Sequence, residues 1–277
     1  MTAAPWTIET LSNKARGHFR FAVFDFDGTI SLIRQGWQEV MKGYFVEVMA
    51  EQLPGADRDE LASCVDDFVD YNTGKQTIYQ CIALHDELEK RGAMALEPQD
   101  YKDEYHRRLL ERIDYRLAGL EAGTLDPRDW VVPGSFELLE ALRAQGLRLY
   151  LASGTDEAYV LDEARLLGVT DYFDGIHGAQ REYKLFSKKK VIEDIIRRHG
   201  LAGPELVGFG DGYVEIENVR EAGGFAVGVA SDEQNRSGVD EWKRSRLSKA
   251  GADVIIPDYA ETAKLMEFLF EGGVHAV

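Results

Sequence analysis

Two acids, Asp25 and Asp27, stand one residue apart at the end of the apolar run Phe21-Ala22-Val23-Phe24. A run rich in Phe and Val reads as a buried parallel strand. Carboxylates at the end of a core strand are costly unless something neutralises them. A divalent cation is the cheapest neutraliser, and hard oxygen ligands suit Mg²⁺. Side chains alternate along a strand, so an extended Asp25 and Asp27 would point the same way, with the Asp27 carbonyl nearby. Gly28 then lets the chain turn sharply.

Three further stretches carry chemistry. In Leu149-Tyr150-Leu151-Ala152-Ser153-Gly154-Thr155, a hydroxyl ends a core strand and a helix follows. Such a hydroxyl, with helix N-terminal amides, can hold a phosphate oxygen; Ser-Gly-Thr-Asp is equally a plain helix cap. The run from Arg181 to Lys190 holds Lys184, Lys188, Lys189 and Lys190 in an otherwise acidic chain. Cations at a helix start oppose its dipole, which suggests that one of them has another partner. In Val207-Gly208-Phe209-Gly210-Asp211-Gly212 an apolar strand again ends in an acid between glycines; alone, Gly-Asp-Gly is a common turn.

The Asp25-Phe26-Asp27-Gly28-Thr29 stretch resembles motif I of the haloacid dehalogenase (HAD) superfamily, most of whose members transfer phosphoryl groups through an aspartyl-phosphate. The resemblance implies Asp25 as nucleophile and Asp27 as general acid/base, both also holding Mg²⁺. Ser153 matches motif II and implies phosphate binding together with Gly154; Thr155 is the second choice. A motif III lysine lies a little over twenty residues before the motif IV acid in related phosphatases. Lys188 is twenty-three residues before Asp211, so it is preferred over Lys184 and Lys189. Asp211 matches the first acid of motif IV and implies a metal ligand. Glu215 stands where the second acid is usually Asp, and the resemblance implies a longer ligand there, directly or through water. Thr29 is placed to orient Asp27 or to cap the turn.

These matches imply a Mg²⁺-dependent hydrolase of a small phosphate ester. A mutase would use the same residues, and a non-catalytic sugar-phosphate binder remains a third class. Dehalogenases of the superfamily generally lack an acid at the position of Asp27, which counts against that chemistry.

The elements that must position these residues follow from the rhythm of the chain. Its 277 residues can bury one large core or two modest ones. After Asp27 the pattern turns helical between about 34 and 130. Apolar residues recur at three and four through Trp37–Val48, Leu61–Val69, Ile78–Leu88 and Tyr101–Leu117. From Trp130 the pattern becomes β/α alternation. Strands are expected at 20–26, 147–152, 173–176, 206–210, 225–229 and 253–256, with helices over 135–145, 156–167, 188–200 and 260–270. Such alternation predicts a doubly wound, mostly parallel sheet with right-handed crossovers. Residues 1–33 and 131–277 would form this Rossmann-like core, and 34–130 an all-helical insertion. An insertion after motif I resembles the family's type-I cap, and the turn Asn72–Thr77 its substrate-specificity loop. Lys75 and Gln76 there, and Arg34 near the hinge, are the substrate-binding candidates. The second basic group, Arg236, Lys243, Arg244 and Arg246, reads as a solvated helix face, with substrate binding as the other reading.

A formal net charge of −17 argues against nucleic acid or an anionic membrane as partner. It also requires the site to be locally basic or to carry a metal. Cys64 and Cys81 sit in helical stretches and are not expected to pair, which fits a reducing cytoplasm. The first twenty residues lack a signal-peptide pattern, and no run reaches membrane-spanning length.

Overall fold

The computed structural model describes residues 6–180 and 182–270; Arg181, part of the basic run, lies outside them. In chain order the strands are β1 (Glu9–Thr10), β2 (Phe21–Phe24), β3 (Arg148–Asp156), β4 (Gly175–Ala179), β5 (Leu206–Gly210), β6 (Phe225–Val229) and β7 (Val254–Ile256). The helices are α1 (Trp37–Gln52), α2 (Arg58–Asn72), α3 (Ile78–Lys90), α4 (Pro98–Glu121), α5 (Ser135–Ala144), α6 (Glu157–Leu166), α7 (Lys188–His199), α8 (Tyr213–Glu221), α9 (Glu241–Ala250) and α10 (Thr262–Phe270). The chain divides into two compact units. One is built from the chain up to Gln35 and from Gly119 onward, and the other is Gly36–Ala118.

The first unit is a seven-stranded sheet in the order β1-β7-β6-β5-β2-β3-β4. All neighbours are parallel except β1, which runs antiparallel on β7. This is the doubly wound α/β architecture expected from the alternation. The chain leaves β2 for β3 on one side and later returns to pair β5 on the other. Strand order therefore reverses at β2, where ligands of such sheets bind. Every residue of β2, β5 and β6 is buried, which is why these strands read as continuous apolar runs.

Alternation puts Phe21 and Val23 on one face of β2, in a core cluster with Ile192, Ile195, Val219 and Leu247 of α7, α8 and α9. Phe24 points the other way. Its ring stacks on Phe209 of β5 at 4.5 Å, and Phe209 meets Tyr259 edge-on at 6.2 Å. Phe24 and Phe209 are register partners, so this aromatic stack lies just below Asp25 and Asp211.

The sheet differs from expectation at β1, β3 and β4, and β2 stops at Phe24, short of the expected 26. β1 is too short to carry a periodic signal. β3 continues through Ser153 and Thr155 to Asp156, with a register shift against β4. There Ser153 Oγ accepts the Thr155 amide at 3.0 Å, a local bond in place of a regular ladder step. β4 starts later than 173, because a short 3-10 turn at Thr170–Tyr172 comes first and Asp174 N donates to Leu149 O.

The second unit consists of α1, α2, α3 and most of α4, as the 3.6-residue period predicts. It is narrower than the expected 34–130. Arg34 is tied to Glu163 of α6, and the segments that lead into and out of the insertion pair with each other. Leu32 N donates to Trp130 O and Val132 N to Ile30 O, with an antiparallel bridge between Ser31 and Val131.

The aromatic stack generates a stability prediction. Phe209 is 1% exposed, so Phe209→Ala should cost about 3–5 kcal/mol and Phe209→Leu much less. Urea unfolding of both variants measures this; equal, small losses would show that the stack does not support the strand ends.

Candidate active site

The carboxyl ends of β5, β2 and β3, adjacent in the sheet, bring the sequence candidates together. Asp25 follows β2 directly, its amide continuing the ladder to Phe209 O at 2.9 Å. It is 6% exposed. Its Oδ1 accepts Phe26 N at 2.8 Å and lies 2.9 Å from Lys188 Nζ. Burial pushes the Asp25 carboxyl up to about 6, with Lys188 opposing the shift and Asp211 and Asp27 adding to it.

Lys188 is the first residue of α7, whose N-cap is Ser187; Ser187 Oγ accepts Lys190 N at 3.1 Å. Its ammonium bridges Asp25 and Glu215 Oε1. The neighbouring lysines go elsewhere. Lys189 pairs with Glu221 on the surface at 2.7 Å, Lys190 donates to Lys184 O, and Lys184 is exposed beside Tyr183. Within α7, Lys188 shares the buried stripe with Val191, Ile192 and Ile195, and that placement turns it inward. Glu215, in the first turn of α8, stands as the counter-ion of Lys188.

Asp27 is held from one side. Its Oδ2 accepts Thr155 Oγ1 at 2.8 Å and Ser153 Oγ at 3.4 Å. Its buried Oδ1 has no hydrogen-bond partner and lies 3.9 Å from Arg34 Nε. Arg34 is buried and forks onto Glu163, with Nη2–Oε1 at 2.7 Å and Nε–Oε1 at 2.9 Å. Burial pushes Glu163 up to about 7 against the pull of Arg34. Glu163 carried no sequence signal, since its partner is 129 residues away.

Thr29 does not touch Asp27 through any described hydrogen bond. Its hydroxyl accepts Asp211 N at 3.0 Å and donates to Asp211 Oδ1 at 3.4 Å, so it ties the turn after β2 to the turn after β5. Gly28 lies between them at φ 74°. A Cβ there would overlap Asp211 Oδ2 and come within 3.0 Å of Glu233 Oε1. The turn therefore needs Gly both for its dihedral and for the close approach of Asp211.

Lys243 is the largest departure from expectation. It is no solvated lysine of a helix face: it is 8% exposed, with Nζ 2.9 Å from Asp211 Oδ2 and 2.7 Å from Glu233 Oε1. Burial alone would lower its pKa, but Asp211 and Glu233 outweigh burial and hold it above the ordinary lysine value. The usable signal is its spacing, since Lys243, Leu247 and Ala250 form the buried stripe of α9. Its neighbours face outward. Arg244 pairs with Glu9 and Glu241, and Arg246 stacks on Trp242 and Tyr213.

Lys75 and Gln76 belong to the helical unit, between α2 and α3. Lys75 donates to Asn72 Oδ1 at 3.0 Å and lies 4.4 Å over the Tyr71 ring; Gln76 is buried. Cys64 and Cys81, in α2 and α3, are free thiols.

The chemistry of these acids suits a hard cation. Asp25 is crowded electrostatically by Asp211 and Asp27, Asp27 Oδ1 is a buried oxygen without a hydrogen-bond partner, and Gly28 lets Asp211 approach the turn after β2 where a Cβ would collide with it. Among the described residues, no three acid, His or Cys side chains converge as a ready-made ligand group. Lysines take up the oxygens instead, Lys188 on Asp25 and Lys243 on Asp211.

The family model for haloacid dehalogenase-like hydrolases matches residues 19–223. No curated protein matches the chain. Among solved structures, a predicted phosphoglycolate phosphatase from Haemophilus somnus 129PT is 19% identical, with TM-score 0.61 over 90% of this chain and 98% of that one. A HAD family hydrolase from Deinococcus radiodurans R1, with bound phosphate and sodium, is 19% identical with TM-score 0.53 over 93% and 97%. β-Phosphoglucomutase from Clostridium difficile is 16% identical with TM-score 0.51 over 83% and 98%. At these identities the likeness is one of fold.

The burial of Asp25 predicts a pH-dependent stability effect. Its folded pKa, about 6, lies above the ordinary aspartate value of 3.8, so ionisation in the folded state costs stability once the pH exceeds about 4, and the cost is complete above about 6. In chelator, Asp25→Asn should therefore be more stable than the parent above pH 6, on the order of 3 kcal/mol, with the advantage gone near pH 4. Denaturant unfolding across this range checks it, and a gain that persists at pH 4 would contradict the cause given.

Proposed function

The chain belongs to the haloacid dehalogenase-like hydrolase family, and on that premise we propose that it is a Mg²⁺-dependent phosphomonoester hydrolase acting on a small phosphorylated metabolite. The observation that carries this reading is the pairing of buried Asp25 with Lys188 at 2.9 Å beside Asp27, whose Oδ2 Thr155 holds at 2.8 Å. One carboxylate is kept close to a fixed cation, and a second, two residues on, has its own hydroxyl anchor.

In this reading an Asp25 oxygen attacks phosphorus and the P–O ester bond breaks. Protonated Asp27 gives its proton to the leaving oxygen. Asp27 then takes a proton from water, the hydroxide attacks phosphorus, the Asp25–phosphorus bond breaks, and inorganic phosphate leaves. Asp27 is protonated again. Lys188, Ser153 and the backbone at Gly154 hold the phosphoryl oxygens, and Lys188 offsets charge that develops on them. A Mg²⁺ ion would be held by Asp25, the Asp27 carbonyl and Asp211, and would supply neutralisation between the nucleophile and the anionic substrate. Glu215 holds Lys188 in place. Arg34, anchored by Glu163, stands beside Asp27 on the side where the leaving group would lie.

The helical unit acts as a cap that selects the leaving group, with Lys75 and Gln76 as its candidate contacts. The protein works in the cytoplasm on a free metabolite. Among the described residues no helix is long and apolar enough to cross a membrane.

Phosphate release from a metabolite panel tests the reaction. It should vanish in chelator, return with Mg²⁺, and fall by orders of magnitude in Asp25→Asn. Lys188→Ala should lose about 10²–10³ in kcat, as for other fixed oxyanion partners, while Lys190→Ala stays near wild type. Turnover that survives thorough chelation would sink the proposal. Isomerisation of a sugar phosphate without phosphate release would assign a mutase instead.

The cap role has its own test. A charge-assisted contact is worth about 1.5–3 kcal/mol, so Lys75→Ala should lose about one to two decades in kcat/KM on the true substrate. A small artificial ester should be nearly unaffected. Equal losses on both would make Lys75 a support of its own unit, where it already bonds Asn72.

A further inference from the structure

Lys243 has no place in the reaction just described, yet it is built into the acid cluster. Its ammonium makes three contacts: Asp211 Oδ2 at 2.9 Å, Glu233 Oε1 at 2.7 Å and Ser231 Oγ at 3.2 Å. Ser231 in turn donates to the Gly28 carbonyl at 2.9 Å. The ammonium thus stands on the segment after β6 and reaches the turns after β2 and β5. It lies in the first turn of α9, where a cation opposes the helix dipole. The acids, not the helix, fix its position. Glu233 is anchored as well, because Gln35 Nε2 donates to its carbonyl at 2.9 Å. Gly28 packs against both Asp211 and Glu233 so closely that a Cβ would not fit.

We propose that Lys243 is a resident counter-cation of the metal site. It holds Asp211 and Glu233 together when no divalent ion is bound, and it lowers the site's affinity for that ion through like-charge repulsion. Lys243 is a positioning residue acting through Asp211. This inference rests on the metal reading given above. Asp211 cannot be a full-strength ligand while an ammonium occupies one of its oxygens. A divalent ion at that carboxylate must share it with Lys243 or displace it. Like charges a few ångströms apart in a half-buried site interact strongly enough to shift affinity by a decade or more. A purely structural lysine would behave differently. Its loss would destabilise the protein by stranding buried acids, but would leave the ion concentration at half-saturation unchanged.

The test is a Mg²⁺ titration of the thermal unfolding temperature of the full chain, starting in chelator at constant ionic strength. Lys243→Met should lower the unfolding temperature in chelator and shift the Mg²⁺ midpoint down about tenfold. Lys243→Arg, which keeps the charge, should hold the parent midpoint within about threefold. Glu233→Gln should shift the midpoint up about tenfold, because it removes a negative charge and leaves the ammonium to Asp211 alone. If Lys243→Met fails to fold in chelator, Glu233→Gln decides the question. Midpoints for Lys243→Met and Glu233→Gln that equal the parent's, or a weaker Mg²⁺ response in Lys243→Met, would overturn the inference while the metal reading stands. A parent protein with no response to Mg²⁺ would overturn the metal reading and this inference with it.

Discussion

Like-charge crowding at the carboxyl ends of parallel strands is the constraint on which the α/β unit turns. Parallel pairing of β2 with β5 and β3 brings the residues after each strand to one edge, so Asp25, Asp27 and Asp211 cannot avoid one another. In a chain of net charge −17 the surroundings offer little relief. The fold answers with cations drawn from the helices. Lys188 comes from α7 and Lys243 from α9, each in its helix's first turn. Both placements are unfavourable for an isolated helix and are justified only by the acids they reach. Each ammonium also touches a second carboxylate, Glu215 and Glu233 respectively, so two parallel Asp–Lys–Glu chains flank the turn after β2.

Hydroxyl hydrogen bonds tie these chains to one another. Thr29 ties to Asp211, Ser231 to Gly28, and Thr155 to Asp27. Each hydroxyl crosses from one strand end to another, and buried polar networks of this kind favour one arrangement when their members are satisfied. Among the atoms left without a hydrogen bond are Asp27 Oδ1, Glu215 Oε2 and the Tyr259 hydroxyl. A ligand that reaches Asp27 Oδ1 would relieve the desolvation penalty of a buried oxygen.

Much of this could be read in advance, and the residues show why. β5 and β6 coincide with the expected 206–210 and 225–229, because a strand buried on both faces is an apolar run bounded by glycine and acid. Counting back from Asp211 selected Lys188, the lysine that reaches Asp25. The misses share one cause, which is that side-chain partners far apart in sequence leave no periodic trace. Thr29 finds Asp211 rather than Asp27, and Glu163, the partner of Arg34, stands 129 residues from it. Lys243 is the instructive case. Grouped by composition, these basic residues read as a solvated face, whereas their phase within α9 separates Lys243 from Arg244 and Arg246. A lysine in register with a leucine and an alanine at i+4 and i+7 is a buried charge that needs an explanation.

The antiparallel clasp between residues 30–32 and 130–132 has a consequence for how such a chain can change. The long excursion begins and ends at hydrogen-bonded neighbours, so its closure is fixed at a single seam. The register of the parallel sheet takes no information from what lies between. Loop-closure entropy grows only slowly with length, so lengthening, shortening or exchanging the excursion would cost the sheet little. The sheet can therefore keep its register while the excursion changes in length, because the seam and not the excursion sets that register. The seam is a graft point, at which an excursion of another length can be joined to the sheet without refolding it.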